Sequence, residues 1–217
     1  MLSEQLDSLP LAYRLALSYA PKGARDATLT LMLLDLRLAE ILRKHGEPLI
    51  AQMKLAWWRD RLGEDPSGWP RGEPLLERLR NWPGAATGLS AMVDGWEVLV
   101  SDDLTAPAIT AYADGRAAGW VALATALGQK DAAERTRAAA CEWVLGDLVM
   151  HLSDGEERDA VKDSIERDVV GGAIPRALRP LTILRGLSRR ALRRGDAELL
   201  PDAGAFGLAL RIGITGR

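Results

Sequence analysis

The sequence predicts an all-α fold, a single helical domain over residues 1–217. Apolar residues make up 47% of the 217 positions, enough for a substantial core. Long segments with apolar residues at helical spacing alternate with short breaks rich in Gly and Pro, a pattern typical of helical bundles. One stretch, 29–42, is apolar on every side of a helical wheel. This indicates a helix buried at the centre of the bundle.

The central helix is predicted to begin at Asp26 and to end before Gly46. Asp is a residue type that caps helix N-termini, and Gly often follows the C-terminus. Arg43 and Lys44 suit the negative end of the helix dipole. Asp35 has apolar neighbours on its face of this helix, so we expect it to be buried and to need a partner.

The next helix opens at Pro48, an allowed first-turn proline, and runs to Gly63. We expect Trp57 or Trp58 to be buried beneath the central helix. The predicted inward stripe consists of Leu49, Ile50, Met53, Ala56 and Trp57.

The other predicted helices follow from the same periodicity. They cover residues 3–20, 73–80, 88–100, 104–127, 130–153 and 174–195, with a last short helix after Pro201. The helix over 104–127 is rich in Ala and Gly, and Tyr112, Gly115 and Gly119 lie on it. Small residues on this helix predict close packing against its neighbours.

Charge and cysteine content exclude several classes of protein. A formal net charge of −2 argues against a general nucleic-acid binder. Cys141 is the single cysteine, so no internal disulfide can form and a reducing compartment is indicated. Its apolar neighbours favour a packed thiol over a nucleophile. The sequence has no signal peptide and no apolar run long enough to cross a bilayer, which predicts a cytoplasmic protein.

The segment that contains the central helix resembles the squalene and phytoene synthase family. In those enzymes this segment reads L-P-x-x-x-R-x-A-x-x-x-L-Y-A-F-C-R and is followed by an aspartate-rich D-D-x-x-D. Matching positions here include Pro21, Arg25, Ala27 and Leu31, and the segment MKLAWWRDRL at 53–62 is similar to the R-L-A-W-W-R of bacterial members. The resemblance implies an isoprenoid-synthase-type helical bundle with a central cavity, shorter at its C-terminal side than in typical members.

A second aspartate-rich motif of the family, Q-L-T-N-I-L-R-D-V-x-E-D, falls on Asp147–Arg158. Asp154 stands at its first aspartate, Glu157 at its glutamate and Arg158 at its last aspartate. The first motif falls similarly on Ala39, Glu40 and Arg43. In both motifs an arginine therefore replaces a carboxylate.

The family couples two prenyl diphosphates head to head with Mg²⁺ ions held by these acids. If the chain is active, the resemblance implies a Mg²⁺-dependent prenyltransferase that uses Glu40, Asp154 and Glu157, with Asp154 and Glu157 as metal ligands. Arginine cannot ligate Mg²⁺, but it can bind diphosphate oxygens directly. The replacements favour a non-catalytic member, as in the branch that holds a complex I assembly factor.

Asp147, His151 and Asp154 stand at i, i+4 and i+7 and are predicted to share one helix face. Such a face could bind a divalent metal or a proton; a histidine bonded by its i−4 carboxylate is the simpler interpretation. If the two helices face each other, Asp35 and Asp147 meet across the cavity. Asp154 could equally start a solvated helix, through a Ser153-x-x-Glu156 capping box.

Several basic residues complete the candidate ligand site. Arg25, Arg43 and Arg158 are the predicted diphosphate-binding residues, beside Asp35, Asp147 and His151. Glu40 has a simpler interpretation as an ion pair with Lys44, one turn further along the helix.

The segment Ile174–Arg194 carries seven arginines, no acid and an apolar side. Such a helix suits an anionic membrane surface or an acidic protein partner. Alternatively, its arginines pair with the acidic stretch 154–168.

Three functions remain open from the sequence. The first is a non-catalytic protein that binds a protein partner or an isoprenoid or lipid ligand. The second is the Mg²⁺-dependent prenyltransferase, and the third is a peripheral module at the inner face of a membrane.

Overall fold

The fold is all-α, as predicted. The structure, a computed structural model, describes residues 6–44, 47–84, 86–100, 103–167 and 172–217. Ten α-helices lie wholly within these ranges, and no strand occurs in them. The helices are α1 Leu11–Ser18, α2 Lys22–Lys44, α3 Pro48–Gly63, α4 Pro74–Leu79, α5 Ser90–Glu97, α6 Ala106–Ala126, α7 Ala133–His151, α8 Gly155–Arg167, α9 Arg179–Arg194 and α10 Ala203–Thr215.

Helix α2 is buried along most of its length and contacts α1, α3, α4, α5 and α6. Its predicted start at Asp26 is wrong, because the helix begins one turn earlier. The Pro21 carbonyl accepts hydrogen bonds from the backbone N–H groups of Ala24 (2.8 Å) and Arg25 (3.0 Å). Asp26 instead accepts a hydrogen bond from Arg78 at 2.5 Å. The predicted end at Gly46 lies outside the described residues.

Helix α6 packs closely against its neighbours, which confirms the prediction drawn from its small residues. It lies between α5 and α7 and also contacts α2 and α8. A Cβ atom on Gly115 would lie 2.5 Å from the Cα of Gly95 on α5, closer than any real contact. Only glycine permits this approach, which places Trp96 of α5 beside Arg116 of α6.

The predicted inward face of α3 is wrong. The buried stripe consists of Ala51, Leu55, Trp58 and Leu62, which face α2 and α5. Leu49 and Met53 are 67% and 66% exposed, respectively. The helix carries two apolar stripes at helical spacing, and packing against α2 and α5 selects the one that includes Trp58.

Two further features concern Cys141 and the apolarity of the helices. Cys141 is buried, with its Sγ 3.7 Å from a carboxylate oxygen of Asp114. Among the described residues, no helix combines the length and apolarity needed to cross a bilayer.

Candidate functional site

A cavity of about 670 Å³ lies where α1, α2, α5, α6 and α7 meet residues 197–200. Its volume falls in the range of about 300–1,000 Å³ that is typical of small-molecule sites. Its walls are mainly apolar and include Leu36, Leu42, Leu99, Leu148, Leu199 and Leu200. Such walls suit an apolar chain.

The floor of the cavity is a buried ion network centred on Arg116. The Arg116 guanidinium donates from Nε to Oδ1 of Asp35 (3.0 Å) and from Nη2 to Oδ2 of Asp35 (2.5 Å). Its Nη1 donates to Oδ2 of Asp147 at 2.9 Å and to the Tyr112 hydroxyl at 2.5 Å. One guanidinium therefore ties α2, α6 and α7 together. With two carboxylates around it, the network has a net formal charge of −1.

Two aromatic side chains complete the surroundings of Arg116. The Trp96 indole N–H donates to Oδ1 of Asp35 at 2.8 Å. The guanidinium carbon lies 4.4 Å from the Trp96 ring centroid and 5.4 Å from that of Tyr112, within cation–π range. Burial by itself lowers the pKa of Arg116, but the charges of Asp35 and Asp147 and the Tyr112 hydroxyl outweigh it and raise that pKa. Arg116 is thus a permanent cation.

Tyr13 of α1 lines the cavity and is 7% exposed. Its ring packs edge-on against Trp143, with 5.8 Å between the ring centroids. Among the described residues, its hydroxyl has no hydrogen-bond partner. Burial, with the nearby charges of Asp147 and Asp35, raises the pKa of Tyr13 well above its usual value. The hydroxyl therefore stays protonated and is a potential donor.

The buried tyrosines predict a loss of stability at high pH. Burial also raises the pKa of Tyr112. Above about pH 10 the unfolded chain loses its phenolic protons while the native chain keeps them, so the free energy of unfolding should fall as pH rises. The expected slope is about 1.4 kcal/mol per pH unit for each of these tyrosines. Urea unfolding between about pH 9 and pH 11 measures it, and Tyr13→Phe should remove one such contribution. An unchanged slope in that variant would contradict the assignment.

The structure brings Asp35 and Asp147 together, as predicted, but through an arginine that sequence reasoning missed. Asp35 is 8% exposed and has Arg116 and Trp96 as its partners, which confirms the prediction that it is buried and paired. Arg116 is the only basic residue in the sequence between Arg80 and Lys130. That isolation is a signal that could have identified it.

The predicted face of Asp147, His151 and Asp154 does not form, because α7 ends at His151. Leu152, the next residue, has extended backbone. His151 lies at the cavity rim with its side chain 67% exposed, and its Nδ1 lies 2.8 Å from the Asp147 carbonyl oxygen. Oδ1 of Asp154 accepts the backbone N–H groups of Glu156 (2.9 Å) and Glu157 (3.0 Å). Asp154 therefore caps α8, and the cap oxygen comes from Asp154, not from Ser153.

The predicted diphosphate-binding arginines are separated. Arg43 lines the cavity, but Arg25 and Arg158 lie outside its lining. Arg25 donates to the Ser18 carbonyl at 3.4 Å and Arg158 to the Leu152 carbonyl at 2.7 Å. Both arginines thus bind backbone at the ends of helices.

The acids that the resemblance implies for metal binding are separated too. Glu40 pairs with Lys44 at 2.5 Å, as the simpler interpretation predicted. Hydrogen bonds from this lysine lower the pKa of Glu40. Glu157 lines the cavity, whereas Asp154 does not. Within the described ranges, no three His, Cys, Asp or Glu side chains are grouped so as to hold a metal ion. These residues therefore do not fit a Mg²⁺ cluster.

Among the arginines of α9, Arg185, Arg189 and Arg190 pair with acids outside the predicted stretch 154–168. Arg185 donates to Glu142 at 2.6 Å, and Arg189 pairs with the same carboxylate. Arg190 pairs with Asp196 (2.9 Å) and Asp202 (2.7 Å). These pairs fix α9 to α7 and to the start of α10. Membrane or partner binding by Arg176–Arg194 stays a prediction.

No protein-family model, no curated protein and no solved structure matches this chain.

Proposed function

We propose that this protein is non-catalytic and binds an isoprenoid or related lipid in the cavity between α1, α2, α5, α6 and α7. The observation that carries the proposal is the combination of apolar walls with a polar, charged floor. An elongated apolar molecule with one polar end matches both parts. The resemblance to squalene and phytoene synthases supports an isoprenoid as the apolar part.

The position of Arg116 favours binding over catalysis. Asp35 lies on α2 and Asp147 on α7, and the guanidinium binds both acids. A Mg²⁺ ion at the same place would be repelled by this charge and would find these carboxylate oxygens already engaged. Outside the floor, Glu40 pairs with Lys44 and Asp154 caps α8. Two of the three acids that a prenyltransferase would use, Glu40 and Asp154, thus have other structural roles.

Filling the cavity should weaken lipid binding. Ala39 on α2 and Leu199, which follows α9 in the chain, both line the cavity. We expect Ala39→Trp and Leu199→Trp each to lower affinity for tritium-labelled geranylgeraniol, supplied from cyclodextrin, by at least about tenfold, because the indole occupies the volume of the chain. Gel filtration of the protein–lipid mixture measures the bound fraction.

The matched control is Ala160→Trp, which places an indole on the exposed face of α8. It should bind geranylgeraniol like the unmodified protein, and melting temperatures identify the variants that remain folded. Absence of binding to the unmodified protein, or equal binding by the folded cavity variants, contradicts the proposal. A squalene-like or phytoene-like hydrocarbon formed from prenyl diphosphate and Mg²⁺, and lost in Asp154→Ala, would contradict the non-catalytic part.

A further inference from the structure

We propose that the cavity selects a lipid with an uncharged hydroxyl at its polar end, and that Tyr13 recognises this hydroxyl at the floor. The inference rests on the proposed function and specifies its ligand class. The cavity should therefore bind a long-chain alcohol through a contact that neither a prenyl diphosphate nor a plain hydrocarbon makes.

The floor has an unused donor and an unused acceptor. Tyr13 is 7% exposed, lines the cavity, and its hydroxyl has no partner within the part of the chain that the structure describes. Because the side chain lines the cavity, a ligand oxygen there can accept a hydrogen bond from this hydroxyl.

Asp147 supplies the acceptor. Its Oδ2 is engaged by Arg116 at 2.9 Å, whereas Oδ1 accepts no hydrogen bond within the described residues. His151 Nδ1 lies 3.8 Å from Oδ1, too far for a hydrogen bond. A hydroxyl can accept from Tyr13 and donate to Asp147 at the same time. A carbonyl offers only the first of these bonds, and a hydrocarbon offers neither.

Charge argues against a diphosphate at the same place. The floor network has a net formal charge of −1, and its one cation, Arg116, is held by Asp35, Asp147 and Tyr112. A diphosphate there would face two carboxylates in a largely desolvated site, where repulsion is strong. Among the described residues that line the cavity, Arg43 at the rim is the other arginine. A charged end group would therefore stay at the rim, away from Tyr13.

The test compares three ligands that share a chain: geranylgeraniol, geranylgeranyl diphosphate and the hydrocarbon phytane. In Tyr13→Phe, the affinity for geranylgeraniol should fall about five- to tenfold, the effect of one net hydrogen bond. The affinities for phytane and for the diphosphate should not change. The melting temperature should change little, because the substitution breaks no hydrogen bond within the described residues. Weaker geranylgeraniol binding with an unchanged melting temperature would show that the Tyr13 hydroxyl contacts the ligand.

The matched control is Tyr19→Phe, which removes a half-buried hydroxyl just beyond the C-terminus of α1 and outside the cavity lining. It should leave all three affinities unchanged. Equal affinity of Tyr13→Phe and the unmodified protein for geranylgeraniol would overturn the inference. So would a diphosphate that binds more tightly than the alcohol and is weakened by Tyr13→Phe. In both cases the lipid-binding proposal stands, whereas failure of every ligand to bind removes that proposal as well.

Discussion

Replacement of Arg116 by Met should destabilise the protein by at least about 3–5 kcal/mol, the usual effect of breaking a buried ion pair from one side. Met keeps much of the side-chain length but leaves Asp35 and Asp147 as two unpaired carboxylates in a buried site. It also removes the bond to the Tyr112 hydroxyl. Urea unfolding at neutral pH measures the loss.

Two comparisons separate this effect from a general loss of charge. Arg137→Met breaks an exposed ion pair with Asp114, whose side chain is 48% exposed, and should cost less than about 1 kcal/mol. Adding Asp35→Asn and Asp147→Asn to Arg116→Met removes the unpaired charges and should restore part of the stability. If Arg116→Met and Arg137→Met have equal effects, the network does not stabilise the fold as inferred.

Replacement of Trp58 by Ala should cost about 3–5 kcal/mol, as large-to-small changes of buried aromatic residues do. Trp58 is 4% exposed on the buried stripe of α3, which faces α2 and α5. The void left by the substitution would lie beside α2 and α5, the helices that carry Asp35 and Trp96. Thermal or urea unfolding gives the loss directly.

The neighbouring Trp57 is the control that the chain itself supplies. It is 39% exposed, and its ring lies 5.9 Å from the Arg61 guanidinium carbon. Trp57→Ala removes an exposed contact of this kind and should change the free energy of unfolding by no more than about 1 kcal/mol. A larger loss from Trp57 than from Trp58 would show that the opposite face of α3 is the buried one.

Local sequence patterns were sufficient to predict most of the helices and the burial of Asp35. The apolar run 29–42 allows no exposed face, so a buried helix follows from the hydrophobic effect alone. An acid among those leucines must find a partner for the same reason. The close packing of α6 likewise followed from its small residues, because only glycine allows two backbones to approach as Gly95 and Gly115 do.

The tertiary structure decided which faces and partners were used. Helix α3 carries two apolar stripes, and periodicity cannot rank them; contact with α2 and α5 buries the stripe of Trp58. The face of Asp147, His151 and Asp154 required a helix that continues past residue 151, but α7 ends there and Asp154 caps α8. The partner of Asp35 is 81 positions away along the chain, at Arg116. Hydrophobic periodicity determines local structure, whereas a charge pair across a cavity depends on how the helices pack, which no local pattern specifies.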